Sequence, residues 1–404
     1  MREAILAAAP AFHGAMTQFA QRLVQTPSMP GEEGEIADIV AETMRSLQYD
    51  DVWRDGAGNI IGVLRGTASG PTVQFNAHLD HVSPGAHTLW ARPPYGGVIE
   101  KDILYGRGAS DVKGALASQV FLIPVLRGAG LRPAGDVYVT GVVLEEVGGF
   151  GSEYLAKEMP TTYAVLAEAT NNQICRGHRG RTFVKVTFTG LSVHASAPER
   201  GRNPHFAAAR FLLGLRDLPM VTHPTFGASS VAPTLIETDH TSGNVTPGTV
   251  SLFLDWRNVP TEGVNEIFSG LEPILRAAEA DAPGVTGAME AVGRPVQSYT
   301  GLSATMPPTR GFETKEEDPV LLAAHKCLEH VLGRPVDIGT WTFATDGGHL
   351  AHHGITTIGF APGEERFAHT IHDQVDLGKM REALAGNAAL ALALTSLESP
   401  RNPV

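Results

Sequence analysis

Through residue 180 the chain alternates short apolar runs with Ala- and Leu-rich stretches: NIIGVLRG and PTVQFNAHLD read as strands, DVKGALASQVFLIPVLRG as a helix, DVYVTGVVLEE as a further strand. That alternation predicts an α/β unit on a mostly parallel sheet. From Arg181 the order changes. RTFVKVTFTG, the helix NPHFAAARFLLGLRDL, SSVAPTLIETD, TVSLFLDWRN, the helix VNEIFSGLEPILRAAEA and GVTGAMEAV make a β-α-β-β-α-β series, the ferredoxin-like split motif. After about residue 300 the α/β pattern resumes with the helix DPVLLAAHKCLEHVLG, a strand near HGITTIGFA and an Ala/Leu-rich final helix. A chain of 404 residues exceeds what one core supports. The expected organisation is discontinuous: residues 1–180 and 301–404 form one domain, and residues 181–300 a second, inserted one.

Composition narrows the partners. With 31 Lys+Arg against 43 Asp+Glu the formal charge is -12, which repels phosphate backbones, so nucleic acid is not expected to bind. Cys175 and Cys327 are the only cysteines and form no Cys-x-x-Cys pair; a reducing, cytoplasmic setting fits that usage. The opening MREAILAAAPAFHGAMTQFAQRLV is Ala-rich, but Glu3, His13, Gln18, Gln21 and Arg22 interrupt it well before the roughly 18 apolar residues of a membrane span. It reads as an amphipathic helix, with no membrane partner expected.

Histidines and acids collect at the ends of the apolar strands, where α/β folds place their sites. In HLD, His78 and Asp80 lie on one face of a strand, so Asp80 is placed to accept from the His78 ring. Asp111 follows the Gly-rich LYGRGAS just ahead of a helix, where capping is its plainer role. Glu145 and Glu146 end VYVTGVVLEE side by side, an arrangement that calls for a nearby positive charge. Glu168 ends YAVLAE, and His369 lies in FAPGEERFAHT. If Asp111 bridges two metals, with His78 and Glu168 on one and Glu146 and His369 on the other, each ion has three protein ligands and an open position. Glu145 is then left beside the water as a general base.

The runs HLDHV, LYGRGASDVKG, VVLEEVGGFGS, GHRGRTFVKVTFTGLSVHASAPERG, GNVTPGTVSLFLDWRN, TDGGHLA and APGEERFAHT resemble the zinc aminoacylase and carboxypeptidase family of metallopeptidases, which includes acetylornithine deacetylase, succinyl-diaminopimelate desuccinylase and glutamate carboxypeptidase. The resemblance covers nearly the whole chain, in the family's order. It implies an α/β zinc-peptidase-like catalytic domain carrying a ferredoxin-like lid and dimerisation domain. It implies the metal ligands His78, Asp111, Glu146, Glu168 and His369, Asp80 behind His78, Glu145 as proton acceptor, and a cis bond from Asp111 to Val112. Two Zn²⁺ per chain are expected, with Co²⁺ or Mn²⁺ as substitutes. The implied reaction is attack of a metal-bound hydroxide on the amide of a small N-acyl amino acid or short peptide. His194 of SVHAS, Asn244 of GNVTPG and Arg257 of DWRN match substrate-holding positions, the first two reaching across a homodimer; His194 would steady the oxyanion. Arg257 would clamp a carboxylate, its competing role being an ion pair with Asp255. Thr345 and Gly347 of TDGGHLA would lie near the substrate.

Some positions depart from the pattern. Asp373 stands where a glutamate usually follows the last metal histidine, and His372 is a rival to His369 as ligand. His349, His352 and His353 read as histidines on a helix surface, and His81 and His87 as rim residues. The blocks around GHRGR and HASAPERG look closest to the deacetylase and desuccinylase branch. A dipeptidase or carboxypeptidase is the alternative, and a catalytically silent ligand-binding homologue is the reading from outside enzymes, against which an intact Glu145 speaks.

Overall fold

Apolar residues make up most of four strands that are buried almost throughout: β1 (Val73–His78), β2 (Val137–Val142), β3 (Tyr163–Leu166) and β4 (Thr356–Gly359). Burial on both faces is the mark of parallel strands covered by helices. They run parallel in the order β2-β1-β3-β4. Antiparallel strands Ile60–Leu64 and Asp51–Arg54 extend the sheet beyond β2, and short strands Ile174–Cys175 and Ile338–Gly339 extend it beyond β4, to eight strands. The register sets His78 opposite Val142, and both Asn76 and Gly359 opposite Leu166. All four central strands therefore deliver the chain to one carboxyl edge.

The computed structural model describes residues 1–398. By contacts they fall into two units, one of Met1–Gly177, Pro295–Met306 and the chain from Glu313, the other of His178–Arg294 and Pro307–Phe312. The expected borders at 180 and 300 thus shift to 177 and 294, and a returning segment joins the second unit, where Arg181 N–H donates to Thr309 O at 2.8 Å.

Two expected helices are broken for local reasons. The amphipathic N-terminal run forms Arg2–Ala8 and His13–Gln25, separated by a 3₁₀ turn at Ala9–Phe12 that contains Pro10. The helix expected from Asp111 starts as a π turn, Ala109–Lys113, continues as Gly114–Val120 and restarts at Leu122–Gly128. Pro124 has no N–H to give to Val120 O, and the buried Tyr49 hydroxyl donates to that carbonyl instead, at 2.7 Å. The stretch Ala109–Gly128 has the length and hydropathy of a membrane span, yet residues 109–126 are all buried inside the protein, as a core helix is. Gly114–Val120 packs against Leu377–Thr395, which in turn packs on Pro319–Leu332.

The second unit has its own antiparallel sheet, ordered Ser230–Thr238, Thr249–Arg257, Thr182–Thr189, Thr286–Ala291. Thr249–Arg257 alternates buried and half-buried residues, as a strand with one covered face does. The covered face, with Val184, Phe188, Leu252 and Trp256, meets Phe211 and Leu271 from the helices Pro204–Leu215 and Val264–Asp281.

Candidate metal centre and active site

The carboxyl edge of the sheet gathers the singled-out residues of the first unit. His78 is the last residue of β1, Glu145 and Glu146 follow β2 by a short turn, and Glu168 follows β3 by two residues. His369 comes from the segment after β4, at a φ of 59°. Asp111 does not cap a helix: the π turn around it has no side-chain cap, and its own φ and ψ, -132° and 83°, are non-helical. Its bond to Val112 is cis. Freed from capping, its carboxylate turns to the edge of the sheet.

There the five residues fall into two groups of three that share Asp111: His78, Asp111 and Glu168, and Asp111, Glu146 and His369, the ligand atoms within each group lying within 4.8 Å of one another. Asp111 divides its oxygens. Oδ1 is 3.2 Å from His78 Nε2, and Oδ2 is 3.0 Å from His369 Nε2. Glu168 Oε1 lies 3.9 Å from His78 Nε2, and Glu146 Oε1 3.1 Å from His369 Nε2. Donors at zinc distances in a tetrahedron are about 3.4 Å apart, so both triplets fit a divalent cation with a position to spare. His372 belongs to neither group and is exposed.

Without cations the cluster holds protons instead. Burial, then the field of Glu168 and Asp346, pushes Glu145 well above the usual carboxylate range, and burial with Asp111 does the same to Glu168. Burial also raises Glu146. Hydrogen bonds to Asp111 and Glu146 push His369 up to about 10. Burial opposes the charge on His78, yet the hydrogen bond to Asp111 and the nearby Asp80 hold its pKa well above the ordinary imidazole value. Burial likewise opposes the charge on Asp111, but hydrogen bonds with His369 and His78 keep it well below. A site that draws in protons this strongly has an excess of negative charge for bound cations to offset.

Supporting residues differ from expectation in three places. The ring Nδ1 of His78 is 2.9 Å from the carbonyl oxygen of Asp80 and 3.6 Å from its carboxylate. That carboxylate is engaged elsewhere, accepting from Glu145 N–H at 3.1 Å and Glu146 N–H at 3.0 Å. His81 is not a rim residue: it is fully buried, accepts from Ser28 N–H at 3.0 Å through Nε2 and faces Val82 O through Nδ1. Burial and the charge of Lys113 push it down to about 4. His349 is not on a helix surface either. It is buried, with Nδ1 3.2 Å from Glu153 and Nε2 3.0 Å from Gly148 O, and Gly149 admits it because a Cβ there would lie 2.6 Å from the ring. It clasps the turn that carries Glu145 and Glu146. Asp373 accepts from Gly108 N–H at 2.7 Å, Ser110 N–H at 2.9 Å and Arg107 at 3.1 Å, and so holds the loop that delivers Asp111.

Residues 74–393 match the description peptidase family M20/M25/M40. The chain belongs to this family. It is 29% identical to the uncharacterized protein YgeY of Escherichia coli K12, covering 98% of both chains. It is 26% identical to the N-formyl-4-amino-5-aminomethyl-2-methylpyrimidine deformylase of Bacillus subtilis, covering 91% of each. The fold matches the Bacillus subtilis YxeP structure, titled a dinuclear metal binding peptidase from the M20 family, with a TM-score of 0.72, 16% identity and coverage of 96% and 99%. The protein is an M20 hydrolase of amide bonds with candidate metal ligands of the kind this metal-dependent family uses.

Other singled-out residues of this M20 chain lie in the second unit or on the TDGG segment. His194, exposed, pairs with Val245 across two short strands, and Ala195 N–H donates to Asn244 O at 2.8 Å, so His194 and Asn244 are neighbours. Ser196 engages His194 Nδ1 twice, its N–H at 3.2 Å and its Oγ at 2.7 Å. Arg257 is engaged in the competing role: Nε donates to Asp255 Oδ1 at 2.9 Å and Nη2 to Oδ2 at 3.3 Å, which leaves its Nη1 donors outside that pair. Thr345 Oγ1 accepts from Gly347 N–H at 3.1 Å, and both residues are buried. Between them Asp346 accepts from Ser152 at 2.6 Å and contributes to the field on Glu145.

Metal ligation requires the Nε2 atoms of His78 and His369 to be unprotonated, and in the ion-free protein the pKa of His78 is held well above the ordinary imidazole value and that of His369 is pushed up to about 10. Loading ions at pH 7 is therefore expected to release protons, with affinity falling as pH falls. Calorimetric titration in buffers of different ionisation heat measures the number; no proton release would contradict this account of the site.

Proposed function

We propose that this M20 hydrolase removes the acyl group from a small N-acyl amino acid, with cleavage of a short peptide as the alternative. The reading rests above all on one observation, the division of the Asp111 oxygens between two histidine-carboxylate groups. His78, Asp111 and Glu168 would hold one divalent cation and Asp111, Glu146 and His369 the other, zinc being the first candidate and Co²⁺ or Mn²⁺ the substitutes. Such a pair, when bound, makes a shared water acidic and polarises the amide carbonyl.

Glu145 belongs to neither group. Its task is to take a proton from the attacking water as the new C–O bond forms, then give it to the nitrogen as the C–N bond breaks, releasing carboxylate and amine. Asp80 keeps it in place by holding the two backbone N–H groups of Glu145 and Glu146. With Nδ1 engaged by Ser196, an Nε2–H on His194 would suit donation to a developing oxyanion.

Formation of a homodimer through the second unit is part of the proposal. Ser230–Thr238 is the outermost strand of its sheet, and consecutive residues Leu235 and Ile236 are 49% and 55% exposed, one on each face. An exposed strand edge of nine residues is a template for pairing with a second copy. The two buried cysteines, unpaired, accord with a reducing cytoplasm.

A screen of the metal-loaded protein against N-acetyl and N-succinyl amino acids and dipeptides, read as amine release, tests the substrate class. Turnover of dipeptides alone would replace the deacylase reading with a peptidase. Glu145→Gln is expected to retain metal and lose roughly 10²–10⁴-fold in kcat, because the amide cannot take up the proton, whereas Glu146→Gln should lose metal affinity. Metal loss from the Glu145 variant alone would exchange the two roles. His194→Ala should lose turnover and keep its metal. After confirmed subunit exchange, an equal mixture of Glu145→Gln and His194→Ala protein should recover about a quarter of wild-type activity if His194 serves the partner's site; a mixture as inactive as its components would confine His194 to its own chain.

A further inference from the structure

The turn between β2 and the two glutamates is held in an unusual way. Four consecutive backbone N–H groups donate to side chains: Val143 to Asn59 Oδ1 at 3.0 Å, Leu144 to Glu33 Oε1 at 3.1 Å, Glu145 to Asp80 Oδ1 at 3.1 Å and Glu146 to Asp80 Oδ2 at 3.0 Å. Leu144 sits at a φ of 60°, a left-handed conformation that a leucine rarely adopts. That rotation turns the chain out of the strand, so the adjacent carboxylates take up different positions, Glu146 in a donor group and Glu145 in neither.

Glu33 reaches the N–H of Leu144 from an unfavourable place, with the backbone N–H groups of Gly31 and of Glu33 itself also near enough to favour its charged form. It is 0% exposed at the start of the helix Gly34–Ser46, makes no side-chain cap to that helix, and its Oε2 is buried without a hydrogen-bond partner. Burial and the neighbouring Asp80 push its pKa up to about 7. A glutamate at a helix start normally faces water and the first-turn N–H groups. This one is turned inward, where burying a carboxylate is costly.

We propose that Glu33 is a positioning residue for the hydrolysis: by anchoring the N–H of Leu144 it fixes the turn that sets Glu145 apart from Glu146. The inference rests on the roles given above to those two glutamates. Glu33 touches neither substrate nor cation in this account; it acts through the backbone.

The test compares Glu33→Gln, which keeps an acceptor for Leu144, with Glu33→Leu, which removes it at similar volume, and with Glu33→Asp, whose shorter side chain withdraws the oxygen while folding as an acid does. Hydrogen exchange of the peptide spanning residues 143–146 in the ion-free protein is the readout that needs no activity. The Leu and Asp variants should exchange there about tenfold or more faster, with peptides from β1 and β3 unchanged, and the Gln variant should stay within about threefold of wild type. Co²⁺ titration should show weaker binding of one ion in the Leu and Asp variants. On whichever substrate the screen finds, their kcat should fall roughly 10–100-fold with KM little changed, as expected when a reacting group is misplaced. Wild-type exchange at 143–146 in both the Leu and the Asp variants, an equal fall in all three, or loosening that spreads through β1 and β3 would overturn the proposal. If exchange behaves as expected while Glu145→Gln is harmless, the anchor stands and the assignment of Glu145 as base fails.

Discussion

One carboxylate shared between two histidines is the contact on which the rest of the structure depends. Asp111 can offer Oδ1 to His78 and Oδ2 to His369 only because the π turn releases it from helix-capping duty and points it over the sheet edge. That turn is in turn held by Asp373, a buried acid accepting from Gly108 and Ser110 N–H groups, pushed up to about 7 by its burial. Around this pivot the parallel strands supply His78, Glu146 and Glu168 from a common edge, and the segment after β4 supplies His369. Stacked acids of this kind are costly in a protein interior unless cations or protons accompany them, and the raised pKa values of Glu145, Glu146, Glu168, His78 and His369 record that cost.

The site is built as much from backbone N–H groups as from side chains. Asp80, placed by its position just past β1, gives its carbonyl to His78 and its carboxylate to the 145–146 turn, so a single residue ties His78, Glu145 and Glu146 together. His349 and Gly149 close the same turn from the other side. The division of labour proposed for the adjacent glutamates would thus be a property of the turn that carries them, and neither side chain would have it alone.

Much of this was legible in the sequence. The alternation of periods gave the parallel sheet and the split βαββαβ series, because burial on two faces or one leaves a readable pattern in strands such as PTVQFNAHLD and TVSLFLDWRN. Ligand types at strand ends were equally visible. What escaped was whatever depends on long-range packing. Pattern alone could not show that His81 and His349 are buried, or that Asp80 spends its carboxylate on a neighbouring loop. Glu33 in PGEEGE looks like an ordinary first-turn acid, and only its burial separates it from Glu32 beside it. The break at Phe121 was open to inference from Pro124, but its repair by Tyr49 was not.

The measurement that bears most directly on the shared carboxylate is the metal content of purified wild-type protein and of Asp111→Asn, taken by elemental analysis after saturation and removal of loosely held ions. The account predicts about two ions per chain in the wild type, and loss of tight binding at both positions when the bridge becomes an amide. A wild type that holds no more than one tight ion, or an Asp111→Asn protein that still holds two, would contradict it.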